Sequence, residues 1–274
     1  MPASVETKSF RAFQRDVYSF FKSKGRHALP WRKTKNPYRI LVSEIMLQQT
    51  QVDRVIPKYR LFLKKFKTVQ VLAEASLGEV LREWQGLGYN RRAKMLHEAA
   101  KVIVTNYGGE VPTLYSELVS LPGIGDYTAK AVRVFAWNEP EVLIETNIRS
   151  VFIHHFFSKR HDVSDKKLFP YMEIMLDIKN SREWYWALMD YGSYLKKTIP
   201  NPSRKSAHHT KQKSFKGSNR EVRGAVLRAL VSRSKSLPAL LKELNFSEER
   251  IEKQITALRK EGLVVIRKNK VQLP

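Results

Sequence analysis

The apolar positions of this chain recur at helical spacing. Phe10, Phe13, Val17, Phe20 and Phe21 share one face over residues 9–24, which predicts an amphipathic helix. Pro30 and Pro37 then make residues 27–38 an extended loop, in which Trp31 either packs or walls a pocket. Ile40, Leu41, Ile45, Leu47 and Val52 mark a mostly buried helix from residue 39, and residues 53–66 continue as helix with Lys and Arg outside. Val69, Leu72 and Ala73, then Leu77, Val80, Leu81 and Trp84, give a helix pair. A glycine turn at Gly86-Leu87-Gly88-Tyr89 opens a helix over 93–106, which Gly108 and Gly109 end. Residues 114–120 and 128–137 are helical runs joined by a turn, and further helices follow Glu145 and over 169–178 and 182–195.

At Lys196 the pattern breaks. Residues 196–213 hold two prolines, many cations and no acid, so 196–218 reads as a basic linker or strap. Beyond it, helices are predicted over 220–232, 238–244 and 247–261, with Ser247 as N-cap before Glu248 and Glu249 and Gly262 as the stop. Two short strands follow around Lys268-Asn269-Lys270. Three helices and a two-stranded wing match a winged helix-turn-helix, a module that binds DNA or serves protein contacts. The expected parts are a core over 1–195, the linker 196–218 and a module over 219–274.

Charge narrows the choice of partner. Fifty Lys and Arg against 26 Asp and Glu give a net charge of +24, which predicts a polyanion and salt-sensitive binding. No apolar run is long enough to span a bilayer. Residues 1–10 carry no apolar core of a secretory signal, so an intracellular protein is expected. There is no cysteine, which excludes disulfides, thiolate zinc sites, cysteine nucleophiles and cysteine-held iron–sulfur clusters.

Candidate chemistry sits in three places. Leu121-Pro122-Gly123-Ile124-Gly125 between two helical runs reads as a hairpin whose glycines allow positive φ. Its backbone N–H groups at the start of the second helix would bind a nucleic-acid phosphate; an ordinary helix–helix turn is the plainer reading. Twenty residues after Gly125, Glu145 closes an apolar run and opens a helix; it is either a capping acid or a functional carboxylate. Glu44 lies on the apolar 40–52 helix, with no basic residue between Ile40 and Asp53. It either reaches the surface or a distant Arg, or is desolvated and holds a proton to donate near neutral pH. The uncharged Gln48-Gln49-Thr50-Gln51 that follows suits contact with bases. Tyr89 beside Arg91 and Arg92 is an aromatic next to phosphate binders, as in a stacking wedge, or a core Tyr with two solvated Arg. Two adjacent His at 154–155 point to different sides of a helix, and His208-His209 lacks a third ligand, so neither pair is read as a metal site. Asp190 either caps a helix near the hairpin or is buried and paired, and Gly192 allows close packing.

Residues 10–195 resemble the helix-hairpin-helix DNA glycosylases, closest to the MutY-type adenine DNA glycosylases. The resemblance rests on Leu29-Pro30-Trp31, the stretch Ser43-Glu44-Ile45-Met46-Leu47-Gln48-Gln49-Thr50-Gln51-Val52, Gly86-Leu87-Gly88-Tyr89, Leu121-Pro122-Gly123-Ile124-Gly125 with Tyr127-Thr128-Ala129, and Glu145-Thr146-Asn147. It implies an all-α, two-lobed helix-hairpin-helix glycosylase core with the small C-terminal winged-helix (α+β) module appended. By the same resemblance Glu44 protonates the leaving base, Glu145 stabilises a sugar oxocarbenium ion, and Asn147 positions groups beside it. Gln49 and Tyr89 enter the base stack, and Gln48 binds DNA. Arg91, Arg92, Leu121, Gly123, Ile124, Gly125 and Thr128 bind DNA, and a monovalent cation at hairpin carbonyls is possible. Tyr127 stands where a lysine would form a Schiff base and cut the strand, so hydrolysis without lyase chemistry is implied. The partner is double-stranded DNA with a mispaired or damaged base, bound by a monomer without a cofactor. Adenine opposite guanine or 8-oxoguanine is the first substrate, thymine or uracil opposite guanine the alternative. A DNA-binding regulator that has lost catalysis is a reading of another class. The chain departs from the family in having Glu145 for an Asp, no cluster cysteines, and a different C-terminal domain.

Overall fold

The computed structural model describes residues 7–210 and 214–274. The first residues read for a secretory signal, 1–6, and 211–213 of the basic stretch lie outside the described residues. Two compact units result: 7–40 with 124–210, and 41–123 with 214–274. No helix among the described residues is long and apolar enough to cross a membrane.

The first unit contains α1 (Thr7–Lys24), and later in the chain α8 (Asp126–Val132), α9 (Thr146–Phe156), α10 (Asp165–Ile174) and α11 (Ser181–Thr198). α11 packs on α9 and on α1. Phe13 meets Phe152 and Trp184 edge-on at 5.7 and 5.9 Å, so the aromatic face of α1 closes the core. Gly192 is required where α11 crosses α9: a Cβ there would lie 2.1 Å from the Asn147 carbonyl oxygen. Two boundaries differ from the sequence pattern. α10 starts four residues before 169 because Ser164 supplies an extended N-cap position. It ends at Ile174, and Asp177 then accepts from the N–H groups of Lys179 and Asn180 and turns the chain. The proline loop is less extended than expected, since Pro30–Lys33 is a 3-10 turn.

α2 (Pro37–Leu47) belongs to the first unit up to Ile40 and to the second from Leu41. It starts two residues before residue 39 because Pro37 is suited to a first helical turn and Asn36 accepts from Arg39 N at 3.0 Å. The second unit continues with α3 (Val52–Lys65), α4 (Val69–Glu74), α5 (Leu77–Glu83), α6 (Arg91–Tyr107) and α7 (Tyr115–Ser120). Ser76 and Glu79 form a complete capping box at α5. Gly108 caps α6 in the left-handed region.

The C-terminal residues of the second unit form α12 (Asn219–Ala229), α13 (Leu237–Glu243) and α14 (Glu248–Lys260) with a three-stranded antiparallel sheet. β2 (Val265–Arg267) and β3 (Lys270–Gln272) are joined by Lys268 and Asn269, both at positive φ, as a two-residue hairpin requires. β1 (Lys235–Ser236) adds to the other edge of β3; two polar residues gave no pattern to read. These residues dock on the preceding helices. Arg82 donates to the Val231 carbonyl, Lys94 to that of Glu261, and Gly78 N to that of Pro274 at 3.0 Å.

Candidate functional site

The hairpin forms between α7 and α8. Gly123 has φ +76° and a Cβ there would lie 2.5 Å from Met95 Cβ, so glycine is needed for both backbone and space. Gly125 is different from the expectation of positive φ: it is extended at −92° and serves as the N-cap of α8. α8 begins at Asp126, two residues earlier than the apolar pattern suggests, and gives way to a π turn at Arg133–Trp137. Leu121, Ile124 and Thr128 are buried, so any ligand contact there is made by backbone groups, while Gly123 and Gly125 are exposed and Tyr127 is half-buried.

The second unit gathers Glu44, Gln48, Gln49, Tyr89, Arg91 and Arg92. Gln49 and Tyr89 are exposed and both are non-glycine residues in the left-handed region, at φ 54° and 46°. Such conformations persist only where surrounding contacts impose them. In the Tyr89 turn Gly86 and Gly88 have positive φ, and it is held from three sides: Arg54 donates to the Gly86 carbonyl and Trp84 Nε1 to the Gly88 carbonyl. The third hold is Arg92.

Arg92 corrects an expectation. It was read as a DNA contact, but its guanidinium is turned inward. Nη1 donates to the carbonyls of Ile45 and Met46 at 2.7 and 3.0 Å and to that of Gln48, and Nη2 to Thr50 Oγ1 and the Gly88 carbonyl. A cation at the end of α2 meets that helix's unsatisfied carbonyls and its dipole. Burial pulls the Arg92 guanidinium down to about 10, against the attraction of Tyr89. Arg92 therefore positions the Gln48-Gln49 loop and the Tyr89 turn together. Arg91, its neighbour, is exposed.

Glu44 is 8% exposed on α2, four residues before Gln48, which follows the end of that helix. The plain reading in which it ends at the surface is thereby removed.

The first unit holds Glu145 and Asn147. Glu145 is extended and N-caps α9: Oε1 accepts from the backbone N of Asn147 and Ile148 at 2.8 and 2.9 Å, and Oε2 from Asn147 Nδ2 at 3.1 Å. Asn147 thus orients the carboxylate directly. Lys196, where the sequence pattern breaks, interacts electrostatically with this acid. Burial lowers its ammonium and the Glu145 charge opposes that shift. Asp190 is buried and paired, the second of its two readings. It accepts from Arg26 N and Nε and from both Nη atoms of Arg32. Trp31 is buried.

No thiolate is available to hold an iron–sulfur cluster. The segment after α11 instead packs by its backbone: Val163 N donates to the Lys205 carbonyl and Ala207 N to that of Val163, at 2.9 and 3.1 Å. Among the described residues no group of three His, Asp or Glu could hold a metal ion.

Against known proteins, the family described as HhH-GPD superfamily base excision DNA repair protein matches residues 42–172. An adenine DNA glycosylase of Buchnera aphidicola subsp. Baizongia pistaciae is 35% identical over 184 residues, covering 67% of this chain and 52% of that protein. One from Mycolicibacterium smegmatis is 47% identical over 128 residues, 46% of this chain and 44% of the other. The chain spans about half the length of these curated relatives. Among solved structures, a thermostable thymine-DNA glycosylase superposes with a TM-score of 0.60 and 28% identity, covering 68% of this chain and 87% of that one. An endonuclease III–DNA covalent intermediate shares the fold, at 20% identity and a TM-score of 0.55.

Proposed function

The chain belongs to the HhH-GPD superfamily of base excision DNA repair proteins, and from that premise we propose that it is a monofunctional DNA N-glycosylase. It flips a mispaired base from the duplex and hydrolyses the N-glycosyl bond. Flipping costs a few kcal/mol, least for a mispaired base. Gln49 and Tyr89 fill the stack, and hairpin N–H groups hold phosphates, with a monovalent cation at its carbonyls. Glu44 gives a proton to the leaving base. The Glu145 carboxylate, oriented by Asn147, stabilises the sugar cation until water adds, or forms a transient adduct with it. Tyr127 has no amine, so the product is an abasic site in an intact strand. No cofactor takes part, the protein acts as a monomer, and its C-terminal residues form a winged helix.

One observation carries this reading. A buried carboxyl, Glu44, lies four residues before a polar loop whose Gln49 is held exposed in a left-handed conformation, and Tyr89 is held likewise beside it. A helix packed only for stability needs neither feature. The first substrate is adenine opposite guanine or 8-oxoguanine, supported by the adenine DNA glycosylases among the relatives. The thymine-DNA glycosylase similarity favours a second, thymine or uracil opposite guanine. Excision assayed on a panel of mispaired duplexes, with and without alkali, separates them. Strand breaks without alkali, or borohydride trapping of enzyme on DNA, count against the monofunctional reading; no excision from any duplex leaves only a DNA-binding regulator.

A further inference from the structure

Within the second unit, a groove of about 670 Å³ opens beside the Tyr89 turn, inside the ~300–1,000 Å³ range of small-ligand sites. One wall is the Gln48-Gln49 loop and the Tyr89 turn; the other is α12 and the turn that precedes it. Six arginines line it against one acid, Glu261, and that acid is already paired with Arg223 through both oxygens. The groove is therefore built for an anion.

Two exposed aromatics face it. Tyr89 is 36% exposed and Phe215 is 55% exposed. Arg220 links them, donating from Nη1 to the Tyr89 hydroxyl at 3.0 Å and from Nη2 to the carbonyl of Ser214, next to Phe215. The Phe215 turn is itself fixed. Ser218 Oγ donates to the Phe215 carbonyl, Gly217 N to Glu221, and Arg250 to the Gly217 carbonyl. An exposed Phe held in place on a cationic surface is the composition of a base-stacking platform.

Gly224 adds an independent observation. It lies inside α12 and lines the groove, and a Cβ there would meet nothing within 4 Å. Glycine in a helix interior costs about 1 kcal/mol relative to alanine, and no packing in this protein asks for it. Its effect is to keep the floor of the groove open.

We propose that this groove is a nucleotide subsite: it takes one unstacked nucleotide of the bound DNA, its base against Phe215 and its phosphate on Arg220 and Arg228. The subsite rests on the glycosylase reading for the source of that nucleotide, since insertion of Gln49 and Tyr89 into a duplex forces neighbouring bases out of the stack. It makes the C-terminal residues part of the DNA-reading surface.

The test uses the full-length chain and duplexes carrying 2-aminopurine in turn at each position around a mispair, on both strands. Wild-type protein should change the emission strongly at one position, and that position names the nucleotide held. Phe215→Ala, exposed and so harmless to folding, should abolish that signal and weaken binding about tenfold, the usual effect of one lost stacking partner. Gly224→Leu should fill the groove, keep or raise the melting temperature, and lose the same signal. Arg228→Ala should weaken binding and flatten its salt dependence. Wild-type affinity and an unchanged emission profile in Phe215→Ala and Gly224→Leu would overturn the subsite even if excision proceeds normally. Loss of the signal in those variants, from a wild-type protein that excises no base, would uphold the subsite and sink the glycosylase reading.

Discussion

At the scale of single residues, the proposed function gives the two carboxyls separable tasks. Glu44 is buried on α2, and Glu145 lies at a helix N-terminus with three donors on its oxygens. Glu44→Gln and Glu145→Gln should each still bind mispaired DNA and lose single-turnover excision by on the order of a hundredfold or more, the effect of removing a positioned acid or its charge. Glu145→Asp is the sharper variant, because the α9 N–H groups already fix where the carboxylate sits. The shorter side chain caps a helix equally well, so folding should be kept and only the reach toward the sugar altered; full excision by Glu145→Ala would remove this residue from the mechanism. Asp190 belongs to stability instead. Burial would raise its carboxyl, but Arg32 and then Arg26 outweigh that and hold it below the ordinary carboxylate range. With the folded value depressed, its stabilisation is fully present above the unfolded value of about 3.9. It is lost as pH falls through the folded value. Asp190→Asn should cost about 3 kcal/mol in denaturant melts at pH 7 by leaving Arg32 buried and unpaired. The deficit against wild type should shrink below pH 4.

At the scale of elements, the function of a loop depends on what ties it down, and Arg92 shows this. If it bound phosphate, Arg92→Lys would keep most of the charge and most of the effect. Held as it is on the α2 carbonyls, a lysine cannot reproduce the guanidinium's several directed bonds. Arg92→Lys should therefore lower excision at least tenfold although the charge is kept; excision and binding near wild type would return Arg92 to the phosphate contacts. Most of the helices and the acids they carry were legible, because periodicity and motif spacing are local. Gln49 and Tyr89 could be named from sequence, but their left-handed backbone could not, since it is imposed by Arg54, Trp84 and Arg92. Arg92 itself was misread for the same reason: beside Tyr89 and Arg91 a solvated arginine and an inward one look identical in sequence. β1 and the α10 boundaries were missed because pairing with β3 and the Asp177 turn are set outside the residues concerned. The Phe215–Arg220–Tyr89 grouping joins residues more than 120 positions apart, and no local pattern announces it.

At the scale of the whole molecule, the C-terminal residues dock on the helices that precede them in the second unit, and on the proposed function the excess of cations would govern encounter with DNA. Gly78 tests the docking. Its N–H donates to the Pro274 carbonyl, and a Cβ would lie 2.4 Å from that oxygen. Gly78→Val should lower the melting temperature and speed proteolysis within residues 219–274; unchanged protease kinetics would mean that this contact does not hold the segment. The net charge of +24 makes a broader claim. Each phosphate neutralised by Lys or Arg releases condensed counterion, so affinity falls with salt as a power close to the number of contacts. On the proposed reading, Arg220 and Arg228 in the groove and the exposed Arg91 offer contacts to several phosphates. For six or more contacts, affinity for any duplex should drop about a thousandfold between 50 and 200 mM salt. The advantage of a mispaired over a matched duplex should change much less, because in the proposed function Gln49, Tyr89 and Glu44 act on bases and release no counterion. Binding isotherms on both duplexes across that range decide the matter. Parallel steep lines assign affinity to phosphates and discrimination to the wedge. A nearly flat line would remove DNA as the partner, whatever the chain's likeness to glycosylases.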